Sequence, residues 1–124
     1  RMQLDHFNIA GPWDLIETVK NFYVDVLGFE EGRRPAFDRR GYWLYSDGKP
    51  FIHLIESDRH GAAEKRHYLD HIAFRSSNAI AQRKRLEARG VPYRISSIPG
   101  AGTTQLFLQD PAGTGLEINF PEEA

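Results

Sequence analysis

Leu4-Asp5-His6-Phe7 is repeated in the middle of the chain as Leu69-Asp70-His71-Ile72, with the second histidine 65 residues after the first. The first copy is followed by apolar residues at helical spacing that end at Gly28. The second is followed by a stretch rich in helix-forming residues that ends at Gly90. Apolar and aromatic runs around Asp, Gly and Pro turns then close each half. The repeat therefore predicts that each half of the chain forms one strand, one helix and then three strands.

The predicted strands after each helix follow the same order in both halves. A short strand is expected near residues 29–30 in the first half and 92–95 in the second, and the hairpins are expected at 42–45 with 51–55 and at 105–108 with 116–120. A polar linker at 57–66 separates the halves. Because about 60 residues are marginal as an independent fold, the halves, about 4–57 and 69–120, are predicted to share a core in one domain over 2–124.

Composition excludes several classes of protein. The chain has 124 residues, no cysteine and a formal net charge of −1, and 40% of its residues are hydrophobic. The missing cysteines exclude a disulfide framework, a thiolate metal site and a cysteine nucleophile. Balanced charge and the lack of a long apolar run predict neither a nucleic-acid nor a membrane partner. The first residues lack the apolar stretch of a secretory signal, which predicts a cytoplasmic protein.

Side-chain alternation along the strands assigns the polar residues to one face. In the first strand and in its repeat, apolar residues occupy one face, while His6 and His71 occupy the other. In the last strand, Glu117 lies opposite three apolar residues, and the strand that contains His53 is apolar on both faces. One arrangement fits all four strands: one face packs against the helices, and the other carries the four polar residues and lines a cleft.

These four residues are candidate metal ligands. Imidazole and carboxylate groups suit divalent Fe, Mn, Ni, Co or Zn, and two His with one carboxylate form a common open site. A lone strand histidine is more often a hydrogen-bonding residue than a ligand. The repeat favours ligation, because His6 and His71 occupy equivalent positions, as do His53 and Glu117. The sequence therefore predicts a metal site of His6, His53, His71 and Glu117, with an acid–base role as the alternative for His53.

Four arginines, Arg33, Arg34, Arg39 and Arg40, lie in one predicted loop before an aromatic strand. Arginine forks match carboxylate and phosphate groups, so the cluster is a candidate anion site of the substrate. Acidic residues are interleaved with the arginines, and such a mixture is more typical of a solvated surface. A solvated surface is the preferred interpretation.

At these residues the chain resembles the vicinal oxygen chelate superfamily, which contains glyoxalase I, extradiol dioxygenases, fosfomycin-resistance proteins and bleomycin-resistance proteins. The resemblance covers nearly the whole chain. The matching segments are Leu4-Asp5-His6-Phe7, Asn21-Phe22-Tyr23-Val24-Asp25-Val26-Leu27-Gly28-Phe29, Leu69-Asp70-His71-Ile72-Ala73-Phe74, and Leu108-Gln109-Asp110-Pro111-Ala112-Gly113 continuing into Leu116-Glu117-Ile118. Together they are specific for the superfamily, but they do not select one activity within it.

The resemblance implies an α+β fold of two βαβββ modules, a cupped mixed sheet with the helices outside, a divalent metal and a homodimer. The superfamily's metal positions fall on His6, His71 and Glu117, and a fourth position falls on His53. Glyoxalase I carries Glu at that fourth position, so His53 is a departure that argues against its carboxylate proton shuttle. The dioxygenase and fosfomycin-resistance branches use two His and one Glu.

Two functions from different classes follow. The first is a metalloenzyme of the glyoxalase or dioxygenase type, in which a divalent metal acts as Lewis acid on a small oxygenated substrate and Glu117 or His53 moves a proton. The second is a metal-free protein of the bleomycin-resistance type that sequesters a drug or metabolite. Two His and one Glu on a common wall favour the enzyme. The site is expected either within one chain or between two copies.

Overall fold

A computed structural model of the protein describes residues 3–58, 69, 71–98 and 102–121. The chain divides into two compact units, Arg1–Lys65 and Arg66–Ala124. The first unit contains β1 (Phe7–Gly11), α1 (Trp13–Asp25), β2 (Glu30–Gly32), β3 (Gly41–Ser46) and β4 (Lys49–Glu56). The second contains β5 (His71–Arg75), α2 (Ala79–Ala88), β6 (Arg94–Ile98), β7 (Thr103–Gln109) and β8 (Gly115–Phe120). From residue 59 onward the predicted linker lies outside the described residues.

Each unit has one mixed sheet with the same strand order. The orders are β1-β4-β3-β2 in the first unit and β5-β8-β7-β6 in the second. In both units the first and last strands pair in parallel and the other pairs are antiparallel. The predicted α+β fold of two βαβββ modules is therefore confirmed.

The core of the first unit lies between α1 and one face of its sheet. The buried side of α1 is formed by Ile16, Val19, Phe22 and Tyr23, and the helix packs against β1, β3 and β4. Ile52 and Leu54 of β4 are buried, whereas His53 between them is only partly so. The predicted alternation is thus confirmed, and His53 lies on the face away from the helix.

The second unit repeats this pattern with a less apolar helix. Asn78 precedes α2 in a left-handed conformation (φ 65°), which is unusual for an N-cap, but its side chain accepts the usual N-cap hydrogen bond from the Ala81 amide, at 3.1 Å. Leu86 of α2 is buried, as are Leu106, Ile118 and Phe120 of the sheet. Glu117 lies between buried residues of β8 and therefore belongs to the opposite face. Among the described residues, no helix has the length and apolar character needed to cross a membrane.

Sequence and structure differ at element ends. The first hairpin turn was expected to span 46–50, but only Asp47 and Gly48 form it, and Lys49 already begins β4. His6 lies immediately before β1 instead of within it. Phe29 was expected in the short strand, but β2 begins one residue later, and Phe29 is buried at 7% exposure. These shifts leave the side-chain alternation of the strands unchanged.

The arginine loop is only partly the solvated surface that its composition favours. Arg40 forms a two-point ion pair with Glu56, at 3.1 and 2.7 Å, and its guanidinium lies 4.3 Å from the centre of the Trp13 ring. Arg34 is half-buried. The sequence alone did not identify these contacts, because they join the loop to residues distant along the chain.

The ion pair predicts a pH-dependent stability. The hydrogen bond from Arg40 holds the pKa of Glu56 below its usual value, so the pair stabilises the fold above the ordinary carboxyl pKa and is lost as pH falls through the lowered pKa. Glu56→Gln is expected to melt below the parent protein at neutral pH, and the difference is expected to shrink on acidification. Thermal melts across this range measure it, with Glu30→Gln as the charge-matched control. A difference that stays constant with pH would contradict the assignment.

Candidate functional site

His71 and Glu117 lie side by side in the second unit. His71 is the first residue of β5, and Glu117 lies in the middle of β8, where it is opposite Ala73. Because strand side chains alternate, both groups are on the same face of the sheet. His71 Nε2 is 3.4 Å from Glu117 Oε1, and the side chains are 47% and 15% exposed. The parallel pairing of the two strands thus forms half of the predicted ligand set within one unit.

Two neighbouring amides fix the Glu117 carboxylate. Glu117 Oε2 accepts hydrogen bonds from Asn119 Nδ2 at 2.8 Å and from Gln105 Nε2 at 3.5 Å. Gln105 Nε2 also donates to Asn119 Oδ1 at 3.1 Å, so the three side chains form a connected group. The two carboxylate oxygens therefore have different surroundings: Oε2 is held by amides, and Oε1 faces the imidazole.

His6 and His53 lie together in the first unit, in a stack of three rings. The His6 and His53 ring centres are 3.8 Å apart with planes 14° apart, and Trp43 covers His53 at 4.1 Å and 10°. An imidazole lone pair lies in the plane of its ring, so two nearly parallel stacked rings do not direct their lone pairs at one ion. The stack therefore favours the acid–base alternative for His53 over ligation beside His6.

The two stacked histidines differ in their polar contacts. His6 Nδ1 is 2.5 Å from Asp5 Oδ2, an arrangement in which a carboxylate orients the ring and leaves Nε2 for another partner. His53 Nε2 is buried and has no hydrogen-bond partner in the structure. Burial, followed by the nearby His6, lowers the pKa of His53, so its ring is neutral at neutral pH.

The structure thus brings the predicted residues together in two pairs, His6 with His53 and His71 with Glu117. Within residues 3–58, 69, 71–98 and 102–121, no group of three or more His, Asp or Glu side chains is arranged to hold a metal. The His71–Glu117 pair nevertheless fits one: two ligand atoms bound to a tetrahedral ion at about 2.1 Å each lie about 3.4 Å apart. The amides on Oε2 are the outer partners that ligating carboxylates usually have.

Sequence reasoning missed several of these supporting residues. Asp5 precedes His6 just as Asp70 precedes His71, and this shared dipeptide was a usable signal; Asp70 itself lies outside the described residues. Asn119 follows Glu117 by two positions, which places it on the same face. Gln105 gave no local signal, because its contact with Glu117 depends on the pairing of β7 with β8.

The chain is similar in fold to solved structures of several kinds of protein. They include the antibiotic binding protein TnmS3 of Streptomyces sp. CB03234, at 23% identity, a TM-score of 0.70 and coverage of 98% of this chain and 97% of that one. The fosfomycin resistance protein FosX of Listeria monocytogenes has 17% identity, a TM-score of 0.72 and coverage of 100% and 94%. Lactoylglutathione lyase of Agrobacterium tumefaciens has 15% identity, a TM-score of 0.69 and coverage of 98% and 96%. At these identities the likeness concerns the fold alone.

No curated protein matches the chain. A family model described as "Glyoxalase/Bleomycin resistance protein/Dioxygenase superfamily" matches residues 3–118. That range contains both copies of the repeated pattern and all four candidate ligands. The observed pair of βαβββ modules is consistent with this family match. The chain therefore belongs to the glyoxalase/bleomycin resistance protein/dioxygenase superfamily.

Proposed function

We propose that the protein is a metalloenzyme that acts on a small oxygenated substrate, with His6, His71 and Glu117 as ligands of a divalent Fe, Mn, Ni, Co or Zn ion. The observation that carries the proposal is the Glu117 carboxylate, whose Oε2 is held by amides while Oε1 lies 3.4 Å from His71 Nε2. A bound divalent ion supplies Lewis-acid polarisation of substrate oxygens. The ligands come from one chain or from two copies of a homodimer.

A pocket beside this pair provides room for a substrate. It has a volume of about 600 Å³, and its lining includes His71, Phe107, Gly115 and Arg94. Volumes of a few hundred Å³ are usual for sites that enclose small molecules. Gly115 lies opposite both His71 and Gln109 in the sheet and carries no side chain. In the proposal, this gap receives the part of the substrate that adjoins the ligands.

His53 is proposed as the proton acceptor of the reaction. Its lowered pKa keeps the ring neutral at neutral pH, and a neutral imidazole has a nitrogen able to take a proton. The Trp43 ring, stacked at 4.1 Å, fixes the plane in which that proton is received. Glu117 is the second candidate, because its carboxylate lies beside His71.

The family supports this proposal at the level of reaction class. Its solved members of similar fold include proteins named lactoylglutathione lyase and fosfomycin resistance protein FosX. A second candidate is the metal-free binding protein, supported by the similarity to an antibiotic binding protein and by aromatic Phe37 and Trp43 in a pocket of the first unit. Metal content separates the two functions.

The proposal is tested by elemental analysis of protein purified without chelator or nickel column. The parent protein, loaded with each of the five metals in turn, is expected to retain one ion per chain, and His71→Ala is expected to lose it. His60→Ala removes an imidazole from the linker and serves as the control that keeps its metal. Assays of hemithioacetal isomerisation and catechol cleavage follow on the loaded protein. If the parent protein binds none of these metals, the binding-protein alternative replaces the enzyme.

Mixing two variants that each lack one proposed ligand tests whether the metal site is shared between two copies of the chain. If His6 and His71 act on one ion from different copies, a mixture of His6→Ala and His71→Ala regains one intact site per dimer. Metal content is then expected to recover to about a quarter to a half of the parent value, depending on subunit exchange. Subunit exchange is verified separately. If the metal content of the exchanged mixture does not recover, the ligands come from one chain.

A further inference from the structure

Two buried polar atoms without partners belong to residues of the same pocket in the first unit. Within the described residues, Arg34 Nε and His53 Nε2 are the buried side-chain nitrogens that lack a hydrogen bond. Both residues line a pocket of about 200 Å³, whose other walls include Asn8, Phe37 and Trp43. Buried polar groups are almost always hydrogen-bonded, so two unsatisfied ones at a single pocket indicate that a polar partner, either a ligand or a water molecule, binds there.

The Arg34 side chain is held in place without a counter-charge. Its Nη2 donates to the Arg39 carbonyl at 3.1 Å, and its guanidinium lies 4.9 Å from the centre of the Phe37 ring. A Cβ on Gly41 would lie 2.8 Å from Arg34 Nη2, so the glycine leaves the space that the guanidinium occupies. Among the ion pairs of the described residues, none joins Arg34 to a carboxylate. A fixed and unneutralised cation at a pocket favours an anionic ligand.

The walls of the pocket indicate what the anion is attached to. Phe37 and Trp43 contact each other with ring centres 6.3 Å apart, and Leu54 and Ile55 complete an apolar lining. A cavity of about 150 Å³ holds benzene, so about 200 Å³ holds one ring with one small substituent. Phe37 is 54% exposed, so packing does not lock its ring in place and the ring can shift when a ligand enters.

We propose that this pocket binds a small aromatic carboxylic acid, whose carboxylate accepts hydrogen bonds from the Arg34 guanidinium and whose ring packs against Phe37 and Trp43. The inference goes beyond the proposed function, because this pocket of the first unit shares no lining residue with the substrate pocket beside His71. Arg34 is then the residue that selects an acid over its neutral analogue. His53 also lines this pocket, so its buried Nε2 lies at the wall that the bound acid contacts.

Benzoate is the probe, and tryptophan fluorescence is the readout. The chain has two tryptophans, so Trp13→Phe leaves Trp43 as the single reporter. In that background, benzoate is expected to change the emission saturably with a Kd below about 1 mM. Benzamide, which has the same shape without the charge, is expected to bind at least about tenfold more weakly, because hydrogen bonds to charged groups are the stronger ones.

Substitution at two adjacent arginines separates a specific site from general positive charge. Arg34→Gln is expected to raise the Kd for benzoate by about tenfold or more and to leave weak benzamide binding unchanged. Arg33→Gln removes the same charge from the exposed neighbouring residue and is expected to bind benzoate like the parent. Arg34→Lys, which keeps the charge but not the fork, is expected to fall between them. Equal loss in both glutamine variants, or no saturable benzoate binding in the parent, would overturn the proposal.

Metal content distinguishes failure of this inference from failure of the proposed function. Arg34→Gln is expected to retain metal as the parent does, and His71→Ala is expected to lose metal while still binding benzoate. If the protein binds benzoate but no metal, the carboxylic-acid site at Arg34 is supported and the proposed metalloenzyme function is refuted. If the protein binds metal but not benzoate, the metalloenzyme function is supported and the carboxylic-acid site at Arg34 is refuted. Melting temperatures of both variants verify that each is folded.

Discussion

Glu117→Gln is expected to lower the affinity for the divalent metal by more than about 100-fold and to abolish activity. The substitution keeps the size and the amide contacts of the side chain but removes the negative charge that neutralises a divalent ion. Changes to residues that only orient a ligand typically cost about 10–100-fold in affinity, so a larger loss marks a ligand. Calorimetric titration of the metal-free protein with Zn²⁺ or Ni²⁺ measures it directly.

Glu87→Gln is the matched control for this variant. Glu87 belongs to the same unit and accepts a hydrogen bond from the Tyr93 hydroxyl at 3.0 Å, so the change removes the same charge without touching His71. Its metal affinity is expected to equal that of the parent. If Glu117→Gln lowers the melting temperature but binds metal as the parent does, then the His71–Glu117 contact is only structural and the proposed site is wrong.

The repeat made most of the fold predictable from the sequence. A strand alternates its side chains with a period of two, so Leu116 and Ile118 could be assigned to the core and Glu117 to the other face without knowledge of any partner strand. The helix that precedes Gly28 was equally predictable, because its apolar residues recur every three or four positions. Such patterns depend only on the spacing of residues within a short segment, so a single sequence is enough to detect them.

The details of the site depended on contacts that no local pattern contains. His6 stacks on His53 because β1 pairs in parallel with β4, more than forty residues later in the chain. Arg34 was assigned with its neighbours to a solvated surface, because charged residues surround it in the sequence. Its burial follows from the path of the loop, which brings Phe37 onto the guanidinium and places Gly41 beside it. Composition alone does not specify a loop path.

Gly41→Ala is expected to cause the largest loss of stability of the substitutions considered. Gly41 begins β3, and a Cβ at this position would lie 2.1 Å from the carbonyl oxygen of Leu54 in the neighbouring strand. That oxygen belongs to backbone in the middle of the sheet, so relieving the overlap means separating β3 from β4 at this point. We expect a loss of about 3 kcal/mol or more in the free energy of unfolding, equivalent to about 10 °C or more in Tm.

Gly11→Ala provides the comparison that isolates this cause. Gly11 ends β1 of the same unit, and its added Cβ would meet only the end of the Leu15 side chain, at 3.2 Å. Neither glycine has a positive φ, so both variants gain similarly from the reduced freedom of the unfolded chain. A flexible side chain yields where a strand carbonyl does not, and Gly11→Ala is expected to melt within a few degrees of the parent. Similar melting temperatures for the two variants would show that β3 and β4 separate easily at Gly41. The position of Arg34 would then no longer be fixed by that close approach.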